Sequence, residues 1–294
     1  MSESFDLVGI RPQPAIIPAK KTKWYQGRPV FSMALLAAIA LGCLFSELIM
    51  THDPAYMDLQ NSAAAPCREF LFGTDAMGRD VFSMIWYGGR VSLSIGVLST
   101  LISTAIAVVF GAASGCAPAW LDRLLMRLTE ILLSVPGLLV VVLLQAVLGR
   151  ASVLSLSLVI GATSWTGVAK IVRTEVRQLR NSEYVIASKC MGGGFFHILR
   201  THLAPNFVSS IMFMVVMNVR SAMVTESTLS FMGLGLPLEV ISWGSMLSLA
   251  ESSLLTGAWW IILIPGAFLA AVLLCITNLG NDLRKSVNRK ESNL

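Results

Sequence analysis

The chain has 294 residues, 55% hydrophobic and 13% charged, with a mean hydropathy of +0.71 and a formal net charge of +5. A soluble domain carries about 25% charged residues, so this composition excludes a soluble fold and places the chain in a membrane. Five cysteines (Cys43, Cys67, Cys116, Cys190, Cys275), odd in number and irregularly spaced, argue against a disulfide scaffold; they form no CxxC pair or His/Cys cluster that suggests a metal site.

Residues 1–29 form a polar tail with Pro12, Pro14, Pro18 and Pro29. It is too long and proline-rich for the start of a secretory signal, so the first apolar run is expected to be an uncleaved anchor. A spanning helix takes about 20 apolar residues, and six stretches qualify. They are Val30 to Met50, a part of Val91 to Leu121, Ile131 to Gly149, Ala151 to Ala169, Leu203 to about Phe231, and a part of Ser252 to Asn281. The fifth is interrupted by Arg220 and Glu226, and the sixth contains Pro265-Gly266. The expected fold class is therefore an all-α integral membrane protein, with a membrane domain over residues 30–283 and a short tail over 284–294.

Lysine and arginine in loops set orientation. With the N-terminus inside, seventeen of them lie in inner segments and four (Arg68, Arg79, Arg90, Arg150) in outer ones. Both termini are thus expected in the cytoplasm, and residues 51–90 form an acidic outer loop. The net charge follows from topology and leaves no basic aromatic patch for nucleic acid.

The inner loop, residues 173–206, is long enough to need structure or a task of its own. Residues 174–180 continue the fourth span. Ser182 is predicted as an N-cap, with Glu183 in the first turn, where the helix dipole favours an anion. A helix over 183–191 ends at Gly192-Gly193-Gly194, which permits a left-handed exit. A second short helix is expected over 195–203, before Pro205-Asn206. An isolated helix this short is marginal in water, so it needs a surface to pack on. Tyr184, Val185, Ile186 and Met191 provide its apolar residues.

The run from Glu183 through Tyr184, Val185, Ile186 and Ala187 to Gly192, followed by His202-Leu203-Ala204-Pro205-Asn206, resembles the EAA loop of bacterial ABC importer permeases. The resemblance is to the dipeptide/oligopeptide/nickel permease family. Ala187 and Gly192 match that motif, while Ile186 and Ser188 stand where the broader motif has Glu and Ala. Gly73-Thr74-Asp75-Ala76-Met77-Gly78-Arg79-Asp80 resembles the family's GTDxxGRD signature. The stretch from Asp122-Arg123 to Pro136, the stretch Thr228 to Gly235, Ser242-Trp243-Gly244, and Gly280 to Arg284 resemble further family segments in the same order.

The resemblance implies a type I ABC importer permease fold with six transmembrane helices and a cytoplasmic coupling helix, in the bacterial inner membrane. Glu183, Tyr184, Val185, Ile186, Ala187, Gly192, His202, Pro205 and Asn206 would form the contact with the ATPase. It also implies the partners: a homologous second permease, two ATP-binding-cassette subunits carrying the ATP and magnesium, an extracytoplasmic binding protein, and membrane lipid. This chain would hold no cofactor. Peptides are the leading cargo, and nickel or a metal-chelate is the alternative.

Arg220 and Glu226 are the candidates for lining the path, because a charge within a span usually faces a cavity or a partner. Six residues apart, they do not share a helical face. Glu130 is expected to pair with Arg127 or Arg123, and His52 to sit at a solvated loop end. The Gly-Ala-Ala-Ser-Gly run at 111–115 and Gly161 read as close-packing sites. No GxxxxGK[ST], HExxH or GxSxG motif is present, so no catalysis is expected of the chain. A self-contained secondary transporter is the rival class, but its internal repeats are not evident.

Overall fold

The computed structural model describes residues 29–149, 151–180, 182–192, 194, 204–237, 239–250 and 257–291. The expected helix over 195–203, with His197 and His202, and the first 28 residues lie outside them. Regular structure among the described residues is helical, apart from one isolated bridge between Thr74 and Asp80. In chain order the α-helices are α1 (Val30–Leu44), α2 (Ser46–Ile49), α3 (Val81–Cys116), α4 (Ala119–Ser134), α5 (Gly137–Leu148) and α6 (Val153–Thr163). They continue with α7 (Thr166–Leu179), α8 (Glu183–Cys190), α9 (Ala204–Phe231), α10 (Trp243–Ala250) and α11 (Trp260–Glu291).

Among the described residues, α3 and α11 are single helices long and apolar enough to cross a membrane. Two bent pairs, α4 with α5 and α6 with α7, bring the number to four if each is one span, and the apolar α1 has 15 residues. Two expected spans are therefore broken. The Ile131–Gly149 stretch turns by 88° between α4 and α5. Pro136 has no N–H to give, and its ring forces Val135 into the extended region (φ −95°, ψ 133°). The Ala151–Ala169 stretch bends by 47° at Ser164-Trp165, and α7 then runs on to Leu179. Pro265 lies within α11, which continues through it.

Helix α3 is the spine, and small residues set how closely its neighbours approach. A Cβ built at Gly111 would stand 2.6 Å from the Ala169 carbonyl oxygen, and one at Gly115 would stand 2.8 Å from a Val176 methyl. One at Gly161 would stand 2.8 Å from the Ser99 carbonyl oxygen. The lipid-like surroundings of a membrane helix provide no hydrophobic drive for pairing, so backbone proximity and dispersion must hold it. The run at 111–115 thus seats α7, and Gly161 seats α6. Ala107, Ala112, Val168, Val172, Val176 and Ile211 fill the core between α3, α7 and α9.

The loop before α3 is folded rather than loose. Asp75 takes the Arg79 guanidinium at 2.6 Å, with both residues buried, and Gly78 adopts a left-handed φ of +74° where a side chain would strike the Asp58 carbonyl. Asp80 caps α3, accepting from the Ser83 N–H at 3.0 Å and the Ser83 hydroxyl at 2.6 Å. His52 is part of this fold. Its backbone N–H donates to the Ser83 hydroxyl, and its ring lies 5.1 Å from that of Phe70.

Candidate functional site

Helix α8 is seated on the end of α7. The Leu179 carbonyl accepts both the Ser182 N–H (3.0 Å) and the Ser182 hydroxyl (2.6 Å). The Ser182 carbonyl then accepts from Val185 and Ile186. Val185 is fully buried in the core formed by Val172, Val176 and Ile211, and Ser188, one turn on, is buried too. Glu183, Ile186 and Cys190, spaced as i, i+3 and i+7, lie exposed, with Met191 beyond them at 82% exposure.

The helix therefore has two distinct sides. Neighbouring residues on an α-helix point about 100° apart, so Val185 and Ile186 cannot share a face. Val185 anchors the helix to its own chain. Among the described side chains, Ile186 and Met191 are the apolar groups left to offer. Gly192 takes φ +86°, the predicted left-handed exit. The side chains of Tyr184, Ala187, Pro205 and Asn206, and all of His202, lie outside what the structure describes; the backbone of Pro205 and Asn206 lies in the first turn of α9.

Where α4 meets α7 and α3 lies a charged cluster that the sequence did not reveal. Asp122, in the first turn of α4, is buried. Arg173 grips both its oxygens, Nε to Oδ1 and Nη2 to Oδ2 (2.6 Å). Arg177 Nη1 reaches Oδ2 at 3.0 Å, and the Ser114 hydroxyl of α3 donates to Oδ1 at 2.7 Å. Arg180 donates to the Gly115 carbonyl at 3.0 Å. The cluster lies in the segments expected outside the spans. There the hydrogen bond from Arg173 lowers the Asp122 pKa to about 2, against an opposing push from burial, with help from Ser114 and the arginine charges. The clue in the sequence is Arg173 and Arg177, four apart on one helical face and in want of an acid. Farther along α4, Arg127 pairs with Glu130 at 2.9 Å, as expected.

The two residues expected to line the path occupy opposite environments. Arg220 is exposed on α9, whereas Glu226, on the same helix, has no exposed surface. Glu226 accepts from four serine hydroxyls: Ser242 (2.7 Å) and Ser230 (3.0 Å) on Oε1, Ser227 (3.2 Å) and Ser92 (3.3 Å) on Oε2. Ser92 and Ser242 also accept backbone N–H groups, from Trp243 and Ser245. Each hydroxyl has one proton, and each is directed at the carboxylate. One side chain thereby ties α3, α9 and the start of α10 together. Gly244 makes room for this junction, since a Cβ there would stand 2.7 Å from the Ser227 Cα. Ser230, Ser242 and Gly244 belong to two of the stretches that carry the family resemblance. Ser92 was missed, although Ser92, Ser99 and Ser103 form a buried stripe along α3. Among the described residues no three His, Cys, Asp or Glu side chains come together to hold a metal.

The family model for the binding-protein-dependent transport system inner membrane component matches residues 107–287, a segment that includes α4 to α10. The dipeptide transport system permease protein DppC of Bacillus subtilis is 34% identical over 87% of this chain and 80% of its own length. The oligopeptide transport system permease protein OppC of the same organism is 34% identical over 88% and 84%. OppC of Haemophilus influenzae is 32% identical over 93% and 88%. The broken helices, the seated α8 and the hydroxyl-bound Glu226 are thus features of a chain that belongs to the family of inner membrane components of binding-protein-dependent transport systems.

Proposed function

We propose that this chain is one of two homologous permease subunits of an ATP-driven importer of peptides, and that α8 is its contact with an ATPase subunit. The single observation that carries the reading is the two-sided α8. Val185 locks it to the chain's own core, while Glu183, Ile186 and Cys190 are left uncovered on the other side. The names of the relatives, dipeptide and oligopeptide permease proteins, support peptides as cargo.

In this reading both termini are cytoplasmic and the membrane domain covers 30–283 with six spans: α1, the part of α3 from Val91 on, the Ile131–Gly149 and Ala151–Ala169 stretches, α9 and α11. The outer loop, 51–90, faces the binding protein, and the inner loop, 173–206, faces the ATPases. ATP and magnesium reside on those partners. Closure of the ATPases on ATP shifts α8 and biases the spans between two arrangements. Arg220, exposed on α9, lines the path between the two permeases, and Glu226 supports the wall behind it.

Ile186→Asp tests the contact. When all subunits are expressed together, the parent chain should retain the ATPase subunits through purification. The variant should fold normally, because Ile186 is exposed, but lose about tenfold in ATPase retention, as expected for burying an unpaired charge in an interface. Equal retention would remove α8 from the contact. Uptake by the parent chain alone in proteoliposomes would instead make it a self-contained carrier.

A further inference from the structure

We propose that Asp122 is a positioning residue for energy coupling: its carboxylate fastens α4, and with it the α5 arm, to the α7–α8 unit, so that a movement of α8 carries α4 with it. The proposal rests on the reading of α8 as the ATPase contact.

Helices α7 and α8 form one body. Leu179 holds Ser182 through two hydrogen bonds, and Val185 packs in the same core as Val172 and Val176. This body is fixed to α3 by the contacts at Gly111 and Gly115 and by Arg180 on the Gly115 carbonyl. Helix α4 is held differently. Its buried residues are Asp122 and Thr129, while Trp120, Leu124, Leu128 and Ile131 form an exposed apolar stripe. The Thr129 hydroxyl is spent on the carbonyl of Met126 in its own helix. At its far end α4 turns by 88° into α5 at Pro136, a joint with no helical hydrogen bond across the proline nitrogen.

Among the described residues, Asp122 is therefore the point at which α4 meets the rest of the chain through polar contacts. Its two oxygens take a planar fork from Arg173, a third N–H from Arg177 and a hydroxyl from Ser114. A forked guanidinium–carboxylate pair fixes direction as well as distance. Both arginines project from α7, one turn apart and within about three turns of α8. A rotation of α7–α8 must carry the carboxylate, and α4 turns with it. An asparagine here keeps one acceptor oxygen but sets its NH2 group against a guanidinium, so the fork opens.

The test uses the whole transporter, with its ATPase subunits and binding protein, in proteoliposomes. Asp122→Asn is expected to keep subunit assembly and ATP hydrolysis while uptake of labelled trialanine per ATP falls about tenfold, the effect of losing one charge-assisted contact. A merely structural role would lower the amount of complex without moving this ratio. An unchanged ratio overturns the proposal. If Asp122→Asn does not assemble, Arg177→Gln, on a half-exposed side chain, takes its place, with a loss of about threefold expected from the weaker contact and the same overturning result. Spin labels at Leu128 and Met191, both exposed, give a second readout independent of cargo. The parent should show one narrow α4–α8 distance, and Asp122→Asn a broadened one; an equally narrow distance in the variant also overturns the proposal. Should the parent itself retain no ATPase, the function proposed above fails, yet the spin-label distance still decides whether Asp122 fastens α4.

Discussion

Two buried carboxylates on this chain are satisfied by opposite means. Asp122 meets two arginines and one hydroxyl; Glu226 meets four hydroxyls and, among the described residues, no cation. The difference follows their placement. Arg177 is half-exposed, and Arg173 is buried over most of its length with 23% of its side chain exposed, so each keeps part of its hydration while reaching Asp122. Glu226 has no exposed surface, and a guanidinium beside it would have to lose its own water as well, a cost that Coulomb attraction does not always return. Serine hydroxyls supply donors without bringing a second charge inward. The first arrangement suits a joint that has to transmit movement, the second a junction that has to stay put.

Removing the acceptor breaks this contrast most severely at Glu226. Glu226→Ala leaves four hydroxyls without their acceptor in a sealed site. Some can turn to carbonyls one helical turn back, so we expect a loss of about 3 kcal/mol rather than the sum of four penalties. In purified protein that should appear as a fall in Tm of about 6–12 °C. Glu226→Gln should fall roughly half as far, because its amide keeps one acceptor oxygen but turns an NH2 toward two donors. A Glu226→Ala protein as stable as the parent would show that the junction is not held by the carboxylate.

Acid probes the other carboxylate. The folded-state pKa of Asp122 is lowered to about 2 from an ordinary 3.8. A depressed carboxyl stabilises the fold above its unfolded pKa, and this contribution is lost as pH falls from near 3.8 through about 2. The difference corresponds to about 2 kcal/mol. Thermal melts of the parent and of Asp122→Asn, compared at pH 6 and pH 3, should converge on acidification, because only the parent has that stabilisation to lose. Curves that stay parallel would mean that the arginine grip contributes nothing to stability.

Much of the scaffold behind this contrast was legible in the residues. The glycines at 111, 115 and 161 read as close-approach sites, and the structure puts backbone or valine against each. The run past Arg173 read as a continued helix, and α7 does continue. Other features were hidden for physical reasons. Apolarity counts surface and carries no direction, so the Ile131–Gly149 run looked continuous although Pro136 breaks it. Val185 and Ile186 are both apolar, and only the presence of Val172 and Val176 decides which of them turns inward. Ser92 and Glu226 lie 134 residues apart, and Asp122 and Arg173 lie 51 apart. No local pattern links such pairs; the helix packing brings them together.

Arg220 sharpens the comparison from the opposite side, with the smallest expected change in stability. It shares α9 with Glu226, yet its residue is exposed while Glu226 is sealed. A burial cost cannot be recovered by neutralising a group that is not buried, and an exposed substitution usually shifts stability by no more than about 0.5 kcal/mol. Arg220→Gln should therefore melt within about 2 °C of the parent. Its charge stands in a helix proposed above to span the membrane, where an arginine facing lipid costs about 2.5–3.5 kcal/mol. An exposed arginine that folds without penalty must face water or a partner, and a path between two permeases provides that setting. Uptake in proteoliposomes should drop while Tm holds. A variant that melts several degrees higher and transports normally would place Arg220 against lipid and leave the path to other residues.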